Sequence, residues 1–315
     1  MALLIIGSQR SGEFATAARE FGRGFDIRIW PNAGDIAEIR YALAWEPPPG
    51  VLATLPNLAM IVSVGAGVDH LLGDPRLPNV PVVRYVDPDL TGRMVEYVAS
   101  QVLHHQRRMS EIAVQQQRKI WKYLPEPAAH EVRVGVMGLG VMGAASLAAL
   151  RAFGYQLAGW SRSPHSLPGV ECFAGPGQLD AFLARTDILV CLLPLTPETR
   201  GILNRDLIRK LSRSGRNPRL PGPVLINGGR GGQQVEADII AALDAGELYA
   251  ASLDVFETEP LPASSPLWSH PRVVITPHIA AESTSRAITK YLFRQIARHQ
   301  RGEPLENVVD RSKGY

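Results

Sequence analysis

Short apolar runs alternate with amphipathic stretches along most of the chain. In its first part, residues 2–7 (ALLIIG), 25–30 (FDIRIW), 59–65 (AMIVSVG) and 80–86 (VPVVRYV) read as strands, with helical spacing between them, as at 13–21. Such alternation predicts βαβ units and a parallel sheet. A long helix is predicted from about Thr91, which could cap it, because Met94, Val95, Val98, Val102 and Leu103 fall near one face. Residues 115–130 (QQQRKIWKYLPEPAAH) are polar and then proline-rich, and read as a connection.

A second alternating series begins at Glu131. Strands are predicted at 132–137, 156–160, 188–193, 223–227, 249–255 and 273–276, and helices fall between them, the clearest at 235–245 before Gly246. Six strands with intervening helices make a complete Rossmann domain. Residues 211–223 (LSRSGRNPRLPGP) are basic and rich in proline and glycine, which predicts an exposed loop, and a last helix is predicted at about 282–300. The fold class is therefore α/β.

Composition narrows the class of function. At 315 residues the chain is long enough for about two domains, and 45% hydrophobic with 20% charged residues is ordinary for a soluble globular protein. A net charge of +3 without a Lys/Arg block argues against nucleic acid. Residues 2–6 are too short for a signal segment and lack a basic flank, and no apolar run approaches membrane-spanning length. The two cysteines, Cys172 and Cys191, lack metal-ligand spacing, so no metal is expected; Cys191 lies in an apolar run and reads as a buried thiol. A cytoplasmic protein is the expectation.

GLGVMG at 138–143 follows an apolar strand and opens a helix-like stretch at 144–152. In that context Gly138 permits a tight turn, Gly140 lets backbone approach a pyrophosphate, and Gly143 lets helix and strand pack closely. Dinucleotide binding is the expected role. About twenty residues on, where a carboxylate would accept hydrogen bonds from the ribose hydroxyls of NAD, the chain has Ser161, Arg162 and Ser163. An arginine can pair with a 2′-phosphate and serine hydroxyls can donate to it, so NADP(H) is expected over NAD(H). The plain alternative is an Arg162 that points to solvent.

Three stretches at carboxyl ends of predicted strands carry candidate chemistry: LINGGRGG with Arg230, SLDVFETEPLP with Asp254, Glu257 and Glu259, and VVITPHIAAES with His278. Carbonyl reduction needs a proton donor near neutral pH, a carboxylate to favour imidazolium, and a cation to hold a substrate carboxylate and polarise the carbonyl. Arg230, Glu259 and His278 supply one of each. Singly, each also reads as an ordinary loop or turn residue; together, behind a dinucleotide fold, they form a catalytic candidate.

These residues resemble the D-2-hydroxyacid dehydrogenase family. GLGVMG, LLPLTPETRGILN (192–204), NGGRGG (227–232), LDVFETEPLP (253–262) and TPHIA (276–280) are similar to its motifs and stand in their order, with VSVGAGVDHL (62–71) and the ending DRSKGY extending the likeness over nearly the whole chain. WSRSPHSLPGVECFAG and PLWSHPRVVITPHIAA look most like the bacterial glyoxylate/hydroxypyruvate reductases that use NADPH. The resemblance implies that Arg230 binds the 2-oxoacid, that His278 is the proton donor, and that Glu259 is its partner, with Glu257 the competing carboxylate. It implies cofactor contacts from Gly138, Leu139, Gly140, Val141, Met142 and Gly143, from Ser161, Arg162 and Ser163, from Leu193 and Pro194 beside the nicotinamide, and from Gly228, Gly229, Arg230, Asp254 and His278.

Backbone amides of Val64, Gly65, Ala66 and Gly67 would hold the substrate carboxylate as an anion nest. Trp45 would reach the substrate, or else simply pack in the core. The resemblance further implies a Rossmann-type domain (99–281) inserted into a smaller flavodoxin-like substrate domain (1–98 and 282–315), a cleft that closes on the substrate, and a homodimer joined through the nucleotide domain. The extra glycines of NGGRGG predict a more mobile Arg230 loop. Three functions stay open: reduction of glyoxylate or hydroxypyruvate, reduction of a bulkier 2-oxoacid such as phenylpyruvate, and a dinucleotide-sensing regulator on the same fold.

Overall fold

The computed structural model describes every residue except Ser8, Gln9, Arg213, Lys313 and Tyr315, so Arg213 of the 211–223 stretch and Lys313 and Tyr315 of the quoted ending lie outside the described residues. The chain divides into two compact units, Met1–Leu90 with Ser283–Tyr315, and Thr91–Glu282. The long helix runs Pro88–Gln106, three residues earlier than Thr91, because a proline suits the first helical turn.

In the smaller unit, β1 (Ala2–Ile6), β2 (Asp26–Ile29), β3 (Ile39–Ala44), β4 (Met60–Ser63) and β5 (Val82–Val83) form a parallel sheet in the order β2-β1-β3-β4-β5, the flavodoxin-like order. The helices Ser11–Phe21 and Ser285–Gln300 pack on each other. Sequence reasoning missed β3, a central strand: IRYALA carries an arginine and two alanines, and its strand character comes from burial between β1 and β4.

In the larger unit, β6 (Arg133–Met137), β7 (Gln156–Ser161), β8 (Val170–Ala174), β9 (Ile188–Cys191), β10 (Val224–Asn227), β11 (Ala250–Leu253) and β12 (Val273–Ile275) form a parallel sheet in the order β12-β11-β10-β9-β6-β7-β8. This is the Rossmann order with one further strand. The missed strand, β8, is an edge strand after Pro168 and Gly169, with Glu171 exposed on it. Alternate residues enter two cores. Met137, Leu189, Cys191 and Leu225 face one, while Val134, Val136, Val190 and Ile226 face the other. Burial on both faces is why these strands read as unbroken apolar runs, and each buried aliphatic side chain contributes about 1.5–3 kcal/mol.

The 211–223 stretch is only partly exposed. Leu211, Ser212 and Leu220 are buried, and Ser212 donates to Asp187 (2.6 Å), which also pairs with Arg133. The order of the larger sheet reverses between β6 and β9, and in open α/β sheets ligands bind outside the carboxyl ends of the strands near such a point. The loops after β6, β7, β9, β10, β11 and β12 hold the candidate residues.

Candidate active site

After β6 the chain turns sharply into the helix Val141–Arg151. Gly138 makes the turn at φ +102°, and a Cβ there would lie 2.6 Å from the Leu192 carbonyl oxygen. A Cβ on Gly143 would stand 1.8 Å from the Gly138 carbonyl oxygen. Gly140 differs: it opens onto empty space that a side chain would fill, and no side chain caps the helix beside it. Helix N–H groups next to such a space suit a phosphate, so these residues fit a dinucleotide. Leu139 packs into the core against Gly159, whose Cβ would touch it at 2.4 Å, and Val141 is exposed.

β7 ends on Ser161, and the turn after it folds on itself. The Ser161 hydroxyl donates to the Ser163 carbonyl oxygen (2.8 Å) and lies 3.0 Å from His165 Nδ1, so its proton is used within the turn. Arg162 and Ser163 are exposed. Hydrogen bonds from the Thr196 hydroxyl and from Glu198's own N–H, with a smaller pull from the Arg162 charge, hold the nearby Glu198 carboxyl below its usual range.

Arg230, Glu259 and His278 come together in the larger unit. His278 Nδ1 and Glu259 Oε2 are 2.7 Å apart, and Glu259 Oε1 accepts from the Phe256 N–H (2.9 Å). Burial pushes the Glu259 carboxyl upward; the His278 hydrogen bond and charge, the Phe256 N–H and the Arg230 guanidinium outweigh it, and the carboxyl sits below its ordinary value. Glu259 is thus an anion bonded to Nδ1 of the imidazole. Glu257 exchanges hydrogen bonds with Glu236 instead (2.8 Å each way), at the start of the helix Glu236–Asp244. Glu259, and not Glu257, is therefore the carboxylate bonded to His278.

His278 holds a left-handed backbone (φ +55°), rare outside glycine. Asp254 explains it. Its main-chain oxygen accepts from the His278 N–H (2.8 Å). Its buried carboxylate accepts from Thr276 Oγ1 (2.6 Å) and from the N–H groups of Ile279 and Ala280 (2.9 Å each). Nothing in sequence spacing pointed to this use of Asp254.

The Arg230 loop is pinned, contrary to the mobility its glycines suggested. Asn227 Oδ1 accepts from the Gly229 N–H (3.0 Å), and its Nδ2 donates to the Arg230 carbonyl (3.2 Å) and to Gln234 (2.9 Å); the Gly228 N–H donates to the Cys191 carbonyl (3.2 Å). Buried side-chain amides do here what bulkier loop residues would do by packing. Leu193 is buried, and the Pro194 carbonyl accepts from Thr199 (2.7 Å).

In the smaller unit, the Trp45 ring lies 4.6 Å from that of His70, and a Cβ on Gly65 would reach it at 2.7 Å. The His70 contact had no sequence signal. Of the four nest amides, the Val64 N–H is taken by Ala44 (3.1 Å) and the Gly65 N–H by Ser63 Oγ (3.3 Å). Among the described residues, no acceptor stands on the N–H of Ala66 or Gly67. No helix of the described residues is long and apolar enough to cross a membrane.

Residues 99–280 match the model of the D-isomer specific 2-hydroxyacid dehydrogenase, NAD binding domain. Solved structures similar over the full length include the NADPH-dependent glyoxylate/hydroxypyruvate reductase SmGhrA of Sinorhizobium meliloti with NADP and sulfate (44% identity, TM-score 0.93, 100% of this chain and 99% of that one). A D-isomer specific 2-hydroxyacid dehydrogenase of Xanthobacter autotrophicus Py2 with NADPH and MES is similar at 40% identity and TM-score 0.91 (100% and 99%). A protein of Rhizobium etli CFN 42 solved with NADP, HEPES and L(+)-tartaric acid matches at 45% identity and TM-score 0.92 (100% and 99%). A family model over more than half the chain and full-length likeness at this identity agree with the glycine loop and sheet order: this chain belongs to the D-isomer specific 2-hydroxyacid dehydrogenase family.

Proposed function

We propose that the chain reduces a small 2-oxoacid, glyoxylate or hydroxypyruvate, to glycolate or D-glycerate with NADPH. The observation that carries this reading is the His278–Glu259 bond at Nδ1, with Arg230 acting on the same carboxylate. Reduced nicotinamide, when bound, supplies the hydride. Arg230 binds the substrate carboxylate and polarises its carbonyl. His278 delivers a proton from Nε2 to the oxygen as negative charge develops there. Glu259 fixes the ring's orientation and favours the imidazolium, which keeps the donor loaded. Asp254 holds the His278 turn. Trp45 and the turn at 64–67 take part in holding the substrate.

NADPH is favoured over NADH because β7 ends on Ser161 and is followed by Arg162, with no acid there, and because the similar S. meliloti and X. autotrophicus proteins were solved with NADP and NADPH. The reading includes a homodimer through the larger unit. Exposed Met109, Ile112, Ile120, Trp121 and Tyr123 cluster within one short segment, and Trp121 is fully exposed, which supports an interface there. Sedimentation should give a dimer, and a Trp121→Glu/Tyr123→Glu variant a monomer.

The deciding experiment follows NADPH absorbance with glyoxylate, hydroxypyruvate and phenylpyruvate, and repeats the panel with NADH. Fastest turnover on the two small acids with NADPH is expected. Preference for phenylpyruvate would replace the substrate assignment, and tight NADPH binding without turnover on any of them would point to a regulator.

A further inference from the structure

Gln233 has no part in the chemistry described so far, yet it joins two of its walls. It is completely buried. Its Oε1 accepts from the Arg230 N–H (3.0 Å) and from the Cys191 thiol (3.5 Å), and its Nε2 donates to the Leu193 carbonyl (2.7 Å). One amide thus ties the loop after β9 to the loop after β10. Burial pushes the Cys191 thiol up to about 12, so it stays a protonated donor. The same Oε1 stands 2.5 Å from where a Gly229 Cβ would be, and the Leu193 carbonyl 3.1 Å away. Gly229 carries no positive φ, so glycine is required there by space and not by backbone conformation.

We propose that Gln233 is the positioning residue for this site: it sets the Arg230 backbone against the Leu193 wall, and Gly229 is glycine because the Gln233 amide fills the space of a Cβ. The inference rests on the reading of Arg230 as the holder of the substrate carboxylate and of Leu193 as a nicotinamide wall. Gln233 touches neither substrate nor cofactor. Its effect passes through the two residues it holds, and displacement of such groups by about 1 Å changes rates by up to about a hundredfold.

Gln233→Met keeps an unbranched side chain of similar length and removes all three hydrogen bonds. It is expected to raise KM for glyoxylate and Kd for NADPH, each by about tenfold, with a smaller effect on kcat. Gly229→Ala, which removes no polar group, should do the same by displacing Gln233. In a Gln233→Ala background the 2.5 Å conflict is gone and the nearest approach left is the Leu193 carbonyl at 3.1 Å, so Gly229→Ala should then cost less than about threefold. Additive effects of the two substitutions would overturn the proposal. So would a lower Tm with KM and Kd unchanged, which would make Gln233 a packing residue only. If Gln233→Met does not fold, the Gly229→Ala pair carries the test alone. NADPH affinity is read by fluorescence without any substrate, so a chain that reduces no 2-oxoacid would end the activity assignment while the coupling between Gly229 and Gln233 is still decided.

Discussion

The two ends of the candidate site in the larger unit are built differently. At the reacting end, Arg230, Glu259 and His278 sit on loops cross-braced by buried side chains: Asn227, Gln233 and Gln234 around Arg230, and Asp254 beneath His278. At the end of β7, Arg162 and Ser163 are exposed, and hydrogen bonds link Ser161, Ser163 and His165 within the turn. Under the proposed function, the difference follows from what each end would do. Proton delivery depends on distances of a few tenths of an ångström, so its residues are held from behind. Attraction between a guanidinium and a phosphate tolerates movement, so a long exposed side chain suffices.

The strongest way to break this contrast is His278→Gln. A neutral amide can keep the bond to Glu259 but cannot deliver a proton, so kcat should fall by about 10²–10⁴-fold while NADPH Kd stays within about threefold. Stopped-flow turnover and fluorescence titration measure the two separately. A large loss of cofactor affinity with turnover kept would mean that the braced end is a binding device.

Arg162→Asp probes the other end and should act in the opposite way. Loss of a charge-assisted contact, with an anion put in its place, should weaken NADPH by about 10–100-fold. NADH affinity should change little and kcat at saturation should hold. Equal weakening of both nucleotides would show that Arg162 does not meet the 2′-phosphate, and the turn at 161–165 would need another role.

The same division explains what could be read from sequence. Both glycine turns, the strand-end positions of Arg230, Glu259 and His278, and the missing acid after β7 are local features of spacing and residue type, so they were legible. The braces were not. Asp254 reads from sequence as a cofactor contact, and its carboxylate's three hydrogen bonds to Thr276, Ile279 and Ala280 arise only when β11 and β12 lie side by side. The glycines of 227–232 suggested freedom, because nothing in a linear pattern shows a glutamine amide filling the missing side-chain space. Central β3 was hidden for a related reason: tertiary burial outweighs the weak strand preference of alanine.

A smaller effect would sharpen the contrast, because one brace behind the reacting end is titratable. His105 is buried; its Nε2 lies 2.7 Å from Ser252 Oγ, which donates to Gln101 Oε1 (2.7 Å) and so accepts from the ring. Ser252 is on β11, just before Asp254. Burial first, and the neighbouring His104 second, push the His105 imidazole down from 6.5 to about 3. A histidine kept neutral in the fold but free to charge when unfolded stabilises the fold fully above about pH 6.5; that contribution is lost progressively as pH falls towards 3. In that window the larger unit should lose up to about 1.4 kcal/mol per pH unit from this group. His105→Gln can still donate to Ser252 and has nothing to titrate, so urea midpoints between pH 6.5 and pH 4 should vary less than in the wild type. The turn at 161–165 does not rest on this brace, so NADPH affinity at neutral pH should be the same in both proteins. An unchanged acid slope in the variant would place the pH sensitivity elsewhere and remove His105 from the supports of the reacting end.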